Sequence, residues 1–321
     1  MEKIEKKDFN DCLDTIFMLN QDAWEDHGED SYYCARTFNS AIMGVFDGCG
    51  GLGSRAYESF KGRTSAYIAS RAVSGAVHDW YHNNYDKTWV NSKKLVTDIN
   101  LYIKKAFEIC KEYAVENIRI RGTMVRDFPT TMAMVYAENS KEGIIAHIIW
   151  AGDSRVYLMD ENGLAQLTVD DTDVKDAFEN ISSDGVLNNL LSSDGKYKIH
   201  CRSICVQNPF IIFAATDGCF NYIPTPMEFE YLILKTMVTS QNPEKYRRRL
   251  KESFEAFAGD DFSFGFMSFQ YGDFDNTRKA YEKRVRHLEE VYVKELKKNL
   301  DKTAKQDLWE DYKPTYERYL R

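Results

Sequence analysis

Short apolar or alternating runs recur along most of the chain, and their spacing predicts strands rather than a helical bundle. Residues 15–19, 31–36 and 41–46 come first. The last of these, AIMGVF, is almost wholly apolar, as a strand buried on both faces would be. The pattern then predicts two helices, over residues 54–81 and 92–118. In the second, Leu95, Ile99, Ile103, Phe107 and Cys110 recur at three- and four-residue steps. Strands return at 131–136, 144–150, 155–159 and 165–168, with hairpin signals in the polar stretch 138–143 and at Glu161-Asn162-Gly163. Residues 169–198 are polar and rich in Asp, Ser and Asn, which suggests an insertion or flap. Strands at 199–206, 210–215 and 262–269 follow, with helices at 226–238 and 243–257 between the last two.

After Gly272 the pattern changes. Residues 276–308 are highly charged, with apolar positions at Tyr281, Val285, Leu288, Tyr292, Leu296 and Leu300, and read as one long amphipathic helix. Its charges nearly balance, so a solvated helix packed on the body or on a partner is expected. The chain therefore divides into a body, 1–272, with the flap 169–198, and a helical extension, 273–321. Many strands with helices in separate blocks indicate an α+β layered fold built on antiparallel sheets.

Composition narrows the function. The net charge of -8 argues against nucleic acid as the main partner, since phosphate backbones demand basic surface. No apolar run approaches the roughly 20 residues a membrane helix needs, and the charged start MEKIEKKDFNDCLD lacks a signal-peptide core. A cytoplasmic protein, without membrane or nucleic-acid contact, is expected. Cys12, Cys34, Cys49, Cys110, Cys201, Cys205 and Cys219 form no Cys-x-x-Cys pair, so neither a zinc site nor a disulfide framework is expected.

The candidate chemistry lies in aspartates at strand ends. GVFDG ends in Asp47 and Gly48, IIWAGDS carries Asp153, FAATDG carries Asp217, and in AGDDFSFGFM Asp260 and Asp261 open a strand. Asp22, in LNQDAW, follows the first strand. Taken singly, each is an ordinary turn. Together they suggest carboxylates converging on one sheet edge, where mutual repulsion demands compensation. Oxygen-only ligands select hard ions such as Mg²⁺ or Mn²⁺. Two such ions roughly 4 Å apart activate water and clamp a phosphoryl group during in-line displacement.

The order of these motifs resembles the metal-dependent type 2C serine/threonine protein phosphatases. NQDA at 20–23 resembles the family's first acidic motif, VFDGCGG at 45–51 its Asp-Gly-His-Gly-Gly, and PTTMAMV at 129–135 its Gly-Thr-Thr strand. WAGDSRVYL at 150–158, LTVDDT at 167–172, AATDGCFNYI at 214–223 and GDDFSFGFMSF at 259–269 resemble the remaining motifs in order. The resemblance covers about residues 10–270. It implies a four-layer α-β-β-α sandwich of two antiparallel sheets flanked by helices, with metal bound where the sheets meet. It implies that Asp47 bridges two Mg²⁺ or Mn²⁺ ions and that Gly48 offers its carbonyl. Asp217 and Asp260 would complete the shell, Asp22 would act through water, and Asp153 would hold the third ion some members bind. Arg155 would pair a charge beneath the site.

The substrate so implied is a phosphoserine- or phosphothreonine-bearing protein. The chain departs from the family in four places. Gln21 stands for the usual Glu, Phe17 for a phosphate-binding arginine, Cys49 for the histidine proposed as general acid, and Asp261 for Asn. Arg36 and Arg55 are candidate replacements for the arginine. The missing cation keeps a second reading open, a phosphoprotein-binding pseudophosphatase with the C-terminal helix as docking surface.

Overall fold

The computed structural model describes residues 9–89, 91–114, 127–174, 176, 178, 185–298 and 302–320. In chain order its main elements are α1 (Phe9–Cys12), β1 (Leu13–Gln21), β2 (Ser31–Arg36), β3 (Ser40–Phe46), β4 (Ala56–Tyr57), β5 (Arg63–Thr64), α2 (Ser65–Asn84) and α3 (Ser92–Tyr113). There follow β6 (Met132–Asn139), β7 (Ile144–Ala151), β8 (Arg155–Asp160), β9 (Gly163–Gln166), β10 (His200–Val206) and β11 (Phe210–Ala215). The last are α4 (Pro226–Val238), α5 (Pro243–Glu255), β12 (Phe262–Phe269), α6 (Phe274–Ala280), α7 (Glu282–Leu288), α8 (Lys294–Leu296) and α9 (Lys302–Tyr316).

Two five-stranded antiparallel sheets carry the fold, ordered β1-β12-β11-β8-β9 and β10-β7-β6-β3-β2. Both faces of each sheet are covered, so the central strands are apolar at nearly every position. In β11, Phe210, Ile212 and Ala214 enter the layer between the sheets. Ile211, Phe213 and Ala215 point the other way, onto Phe229, Ile233 and Phe254 of α4 and α5. The second sheet sends Ile42, Met134 and Ile149 outward against Val73, Val77 and Trp80 of α2 and Ile99 and Ile103 of α3. The result is the four-layer α-β-β-α sandwich.

One helix boundary shifts. The helix read from residue 54 starts at Ser65, where Thr64 caps it by accepting from Tyr67 N. Before it, β4 and β5 form a small hairpin that turns through Lys61 and Gly62 with φ of 57° and 75°. Several glycines between 50 and 62 make that stretch a poor helix. The second helix was expected to reach 118 but is described only to Tyr113; residues 115–126 lie outside the described set.

Nor is the C-terminal segment one long helix. It breaks at Tyr281, whose hydroxyl donates to Met159 O at 2.8 Å and meets the Tyr271 hydroxyl at 2.7 Å. It then passes through a π-helical turn at Glu289–Val293 before α9 returns. Wrapping around a sheet requires bends that a straight helix cannot make. Tyr281, Val285, Leu288, Trp309, Tyr312 and Tyr316 are buried in the same apolar layer as α4 and α5.

A buried ion pair lies in that layer. Glu230 is 0% exposed, receives Arg284 through two bonds of 2.8 Å, and accepts from the Tyr312 hydroxyl at 2.7 Å. Removing one partner of such a pair leaves an uncompensated charge, which costs about 3–5 kcal/mol. Arg284→Ala should lose stability of that order in urea unfolding. The double replacement Arg284→Met with Glu230→Leu should recover most of it.

Candidate functional site

Register places several loops on one edge of the sandwich. Gln21 pairs with Phe262, Ser31 with Phe46, Met132 with Ala151, and Ala215 with both Arg155 and Phe264. The segments flanking these ends carry Asp22, Asp30, Asp47, Asp153, Asp217, the pair Asp260 and Asp261, and Thr130 and Thr131. Around Asp47 the backbone is fixed by threonines. Thr131 N donates to Asp47 O at 2.8 Å, Thr130 Oγ1 donates to the same oxygen at 2.7 Å, and Asp47 N donates to Thr131 Oγ1 at 3.2 Å. The PTT motif thus positions Asp47 without neutralising its carboxylate. Asn221 donates to Asp217 Oδ2 at 3.2 Å and closes the turn that carries it.

Two glycines let these loops meet. A Cβ on Gly48 would lie 2.7 Å from the carbonyl oxygens of Ala66 and Glu29. One on Gly218 would lie 2.0 Å from Asp261 O. No side chain fits at either place.

The carboxylates feel one another. Burial first, then Asp217, Asp30, Asp153 and Asp260, push Asp47 well above the usual carboxylate range. Burial, then Asp217 and Asp170, push Asp153 up to about 8. Its Oδ1 is buried with no hydrogen-bond partner. Burial also raises Asp260, which is otherwise held by Asp261 N donating to its Oδ1 at 2.8 Å. Cys49 sits in the same field, and burial followed by Asp47 and Asp153 holds its thiol protonated. That makes it a poor nucleophile.

The residue that sequence reading missed is Asp30. It is 2% exposed, its Oδ2 accepts from Thr216 Oγ1 at 2.8 Å, and burial, Asp217 and Asp261 raise it. A signal existed. β2 and β3 are joined by three residues, so the residue preceding β2 must lie opposite the one following β3, which is Asp47.

Asp22 is placed differently. It lies in the loop after β1 with its carboxylate against Gly28, where an added Cβ would stand 2.1 Å from Asp22 Oδ1. Asp261 points into that loop and accepts from Ala23 N and Glu29 N, each at 2.6 Å. Arg36 closes the far end of β2 opposite Ala41, away from this edge, and Arg55 lies 4.0 Å from Asp127. Phe17 points into the helix-covered layer, stacked on Phe266 at 4.9 Å. Arg155 is buried in a forked pair with Asp170, with contacts of 3.1, 3.0 and 2.7 Å.

The donor set, all carboxylate oxygens with one buried and unpartnered, fits a hard divalent cation. Among the described residues no three His, Cys, Asp or Glu side chains converge on a common point. The edge is a neighbourhood of like charges, not a closed coordination shell. Its titration has a consequence for stability. Asp153 holds its proton up to about pH 8 in the fold, against roughly 4 when unfolded. The folded state therefore binds more protons between those values, and stability falls as pH rises through that window. In the presence of EDTA the melting temperature should drop between pH 5 and pH 8. Asp153→Asn should flatten that drop by several degrees.

Comparison with known proteins agrees with this fold. No protein with a curated description matches the sequence. Solved structures do match the fold. A bacterial serine phosphatase superposes with TM-score 0.58 at 16% identity, over 79% of this chain and 97% of its own. Stp1 of Staphylococcus aureus gives 0.57 at 16%, over 80% and 96%. The serine/threonine phosphatase PstP of Mycobacterium tuberculosis gives 0.53 at 15%, over 80% and 98%. A PstP catalytic domain has been solved with two manganese ions. The sequence pattern of the protein phosphatase 2C family (PP2C_2) matches residues 18–255, most of the chain. This chain is a member of the protein phosphatase 2C family.

Proposed function

We propose that this protein hydrolyses phosphoserine and phosphothreonine in protein substrates, with Mg²⁺ or Mn²⁺ held at the carboxylate edge. The observation that carries this reading is the raised pair Asp47 and Asp153, each pushed up by burial and then by Asp217, with the raised Asp260 beside them, from strand ends distant in sequence. Such a set is stable at neutral pH only if compensated. A hard dication bound there would polarise the phosphoryl oxygens and acidify a water, so that no protein nucleophile is required.

The chain's own residues would do the rest. Asp47, with the Gly48 carbonyl, takes the central place, Asp217 and Asp260 flank it, and Asp153 with its free Oδ1 stands to one side. We assign the family's first acidic motif to Glu29-Asp30 rather than to Gln21-Asp22, because Asp30 is the one facing Asp47. The glutamate expected before that aspartate is then present. The arginine is missing in either register, since Glu25 stands five residues before Asp30.

A second reading, binding of phosphoproteins without turnover, is favoured by two observations. No three ligands converge among the described residues, and neither Phe17 nor Glu25 supplies the missing cation. One pair of measurements separates the two. The hydrolytic reading expects p-nitrophenyl phosphate and phosphopeptide turnover that requires Mn²⁺. Asp47→Asn and Asp217→Asn should each lower kcat/KM on the order of 10²–10³-fold, as loss of several kcal/mol of transition-state stabilisation requires. Absence of Mn²⁺ binding by calorimetry, together with no turnover by the wild type, supports the binding reading over the hydrolytic one.

A further inference from the structure

Beside the carboxylate edge lies a pocket of about 300 Å³. One wall is the loop after β1, at Asp26 and His27. The other is the turn between β4 and β5 and the start of α2, with Lys61, Arg63, Thr64 and Tyr67. The walls touch the site at two points. Thr64 Oγ1 donates to Glu29 Oε1, next to Asp30. The first turn of α2 brings Ala66 O against Gly48.

In a chain of net charge -8 this pocket is locally basic. Among the described residues no carboxylate comes within ion-pair distance of Lys61 or Arg63, although Asp26 lines the same space. Arg63 is held in place without being neutralised, because Nη1 donates to Asp26 O and the guanidinium lies 4.5 Å from the centre of the Tyr67 ring. The pocket is also preformed. Asp261 fixes the loop through Ala23 N and Glu29 N, and Arg71 donates to Gly28 O at 3.1 Å and Glu29 O at 3.3 Å. Such rigidity lowers the ordering cost of binding.

We propose that this pocket is a specificity subsite for an anionic substrate side chain flanking the phosphorylated residue, a carboxylate or a second phosphate, held by Lys61 and Arg63. The proposal rests on the phosphopeptide reading above and adds a sequence preference to it. A pocket this size takes one side chain. Its cations come from the β4–β5 turn, not from the loops that carry Asp47, Asp153, Asp217 and Asp260. Salt should weaken the preference, since both cations are partly open to solvent.

The test uses the full chain with Mn²⁺ and two fluorescent peptides that carry a non-hydrolysable phosphonate in place of the phosphoserine and are identical except for Glu or Ala beside it, with binding read by anisotropy. The wild type should bind the Glu peptide more tightly. The variants Arg63→Ala and Lys61→Glu should each remove that preference, weakening the Glu peptide about fivefold while leaving the Ala peptide unchanged, the size expected of partly exposed ion pairs. A doubly phosphorylated peptide distinguishes a phosphate-selective pocket from one that accepts any anion. Turnover of p-nitrophenyl phosphate, which has no flanking residue, should be unaffected in both variants. Equal binding of both peptides by the wild type, or equal weakening of both in the variants, overturns the subsite. If the wild type hydrolyses nothing, the catalytic reading fails, and the anisotropy still decides the pocket. Lys61 is exposed on a turn, so its replacement leaves the fold in place should Arg63→Ala disturb the loop.

Discussion

Repulsion among carboxylates at one sheet edge is the constraint on which the site depends. Asp30 is buried, Asp47, Asp153 and Asp217 are half-buried, and each charge raises the cost of ionising its neighbours. Two remedies exist, proton uptake or a bound cation. Hydrogen bonds from Thr216 to Asp30 and from Asn221 to Asp217 relieve part of the cost. The threonines around Asp47 bond its backbone, not its carboxylate, and the nearby Arg155 is saturated by Asp170. The fold therefore tolerates a local instability that binding can relieve, as functional sites commonly do.

What holds the edge together is the sandwich beneath it. Three apolar layers, one between the sheets and one on each outer face, leave the strands little freedom to slide, because a slip of one residue would turn every side chain to the wrong layer. The C-terminal segment is part of this scaffold. Tyr316 reaches Gln166 Oε1 at 2.8 Å, Gln166 Nε2 reaches Asp170 Oδ1 at 2.9 Å, and Asp170 grips Arg155, two residues from Asp153. Arg318 of the same segment donates to Asp160 and to Gly163 O. The far end of the chain thus supports the loop that carries one of the site carboxylates.

Fold similarity at 14–16% identity is consistent with this division of labour. Layered sheets need only apolar side chains of about the right size on the covered faces, and many sequences satisfy that. The site needs particular residues at particular strand ends. Phe17 shows what happens where that need is absent. It sits mid-strand in β1, in register with Phe266 and packed on Tyr246 of α5, so at this position the chain favours core packing over a charge.

The sequence by itself determined the strands, because alternation and apolar runs are local properties, and the helices 226–238 and 243–255 start where Thr225-Pro226 and Asn242-Pro243 signal it. It also located Asp47, Asp153, Asp217 and Asp260 at strand ends. It could not decide which acidic residue near the first strand faces Asp47. Asp22 and Asp30 both follow or precede a strand, and only the antiparallel pairing of β2 with β3 brings Asp30 across. The bends of the C-terminal segment were equally hidden, since a heptad-like pattern records which face is apolar but not the curvature of the surface it must cover. The basic pocket belongs to the same class. Asp26 and Arg63 are 37 positions apart, and their meeting is a product of loops packed against each other, which no local pattern encodes.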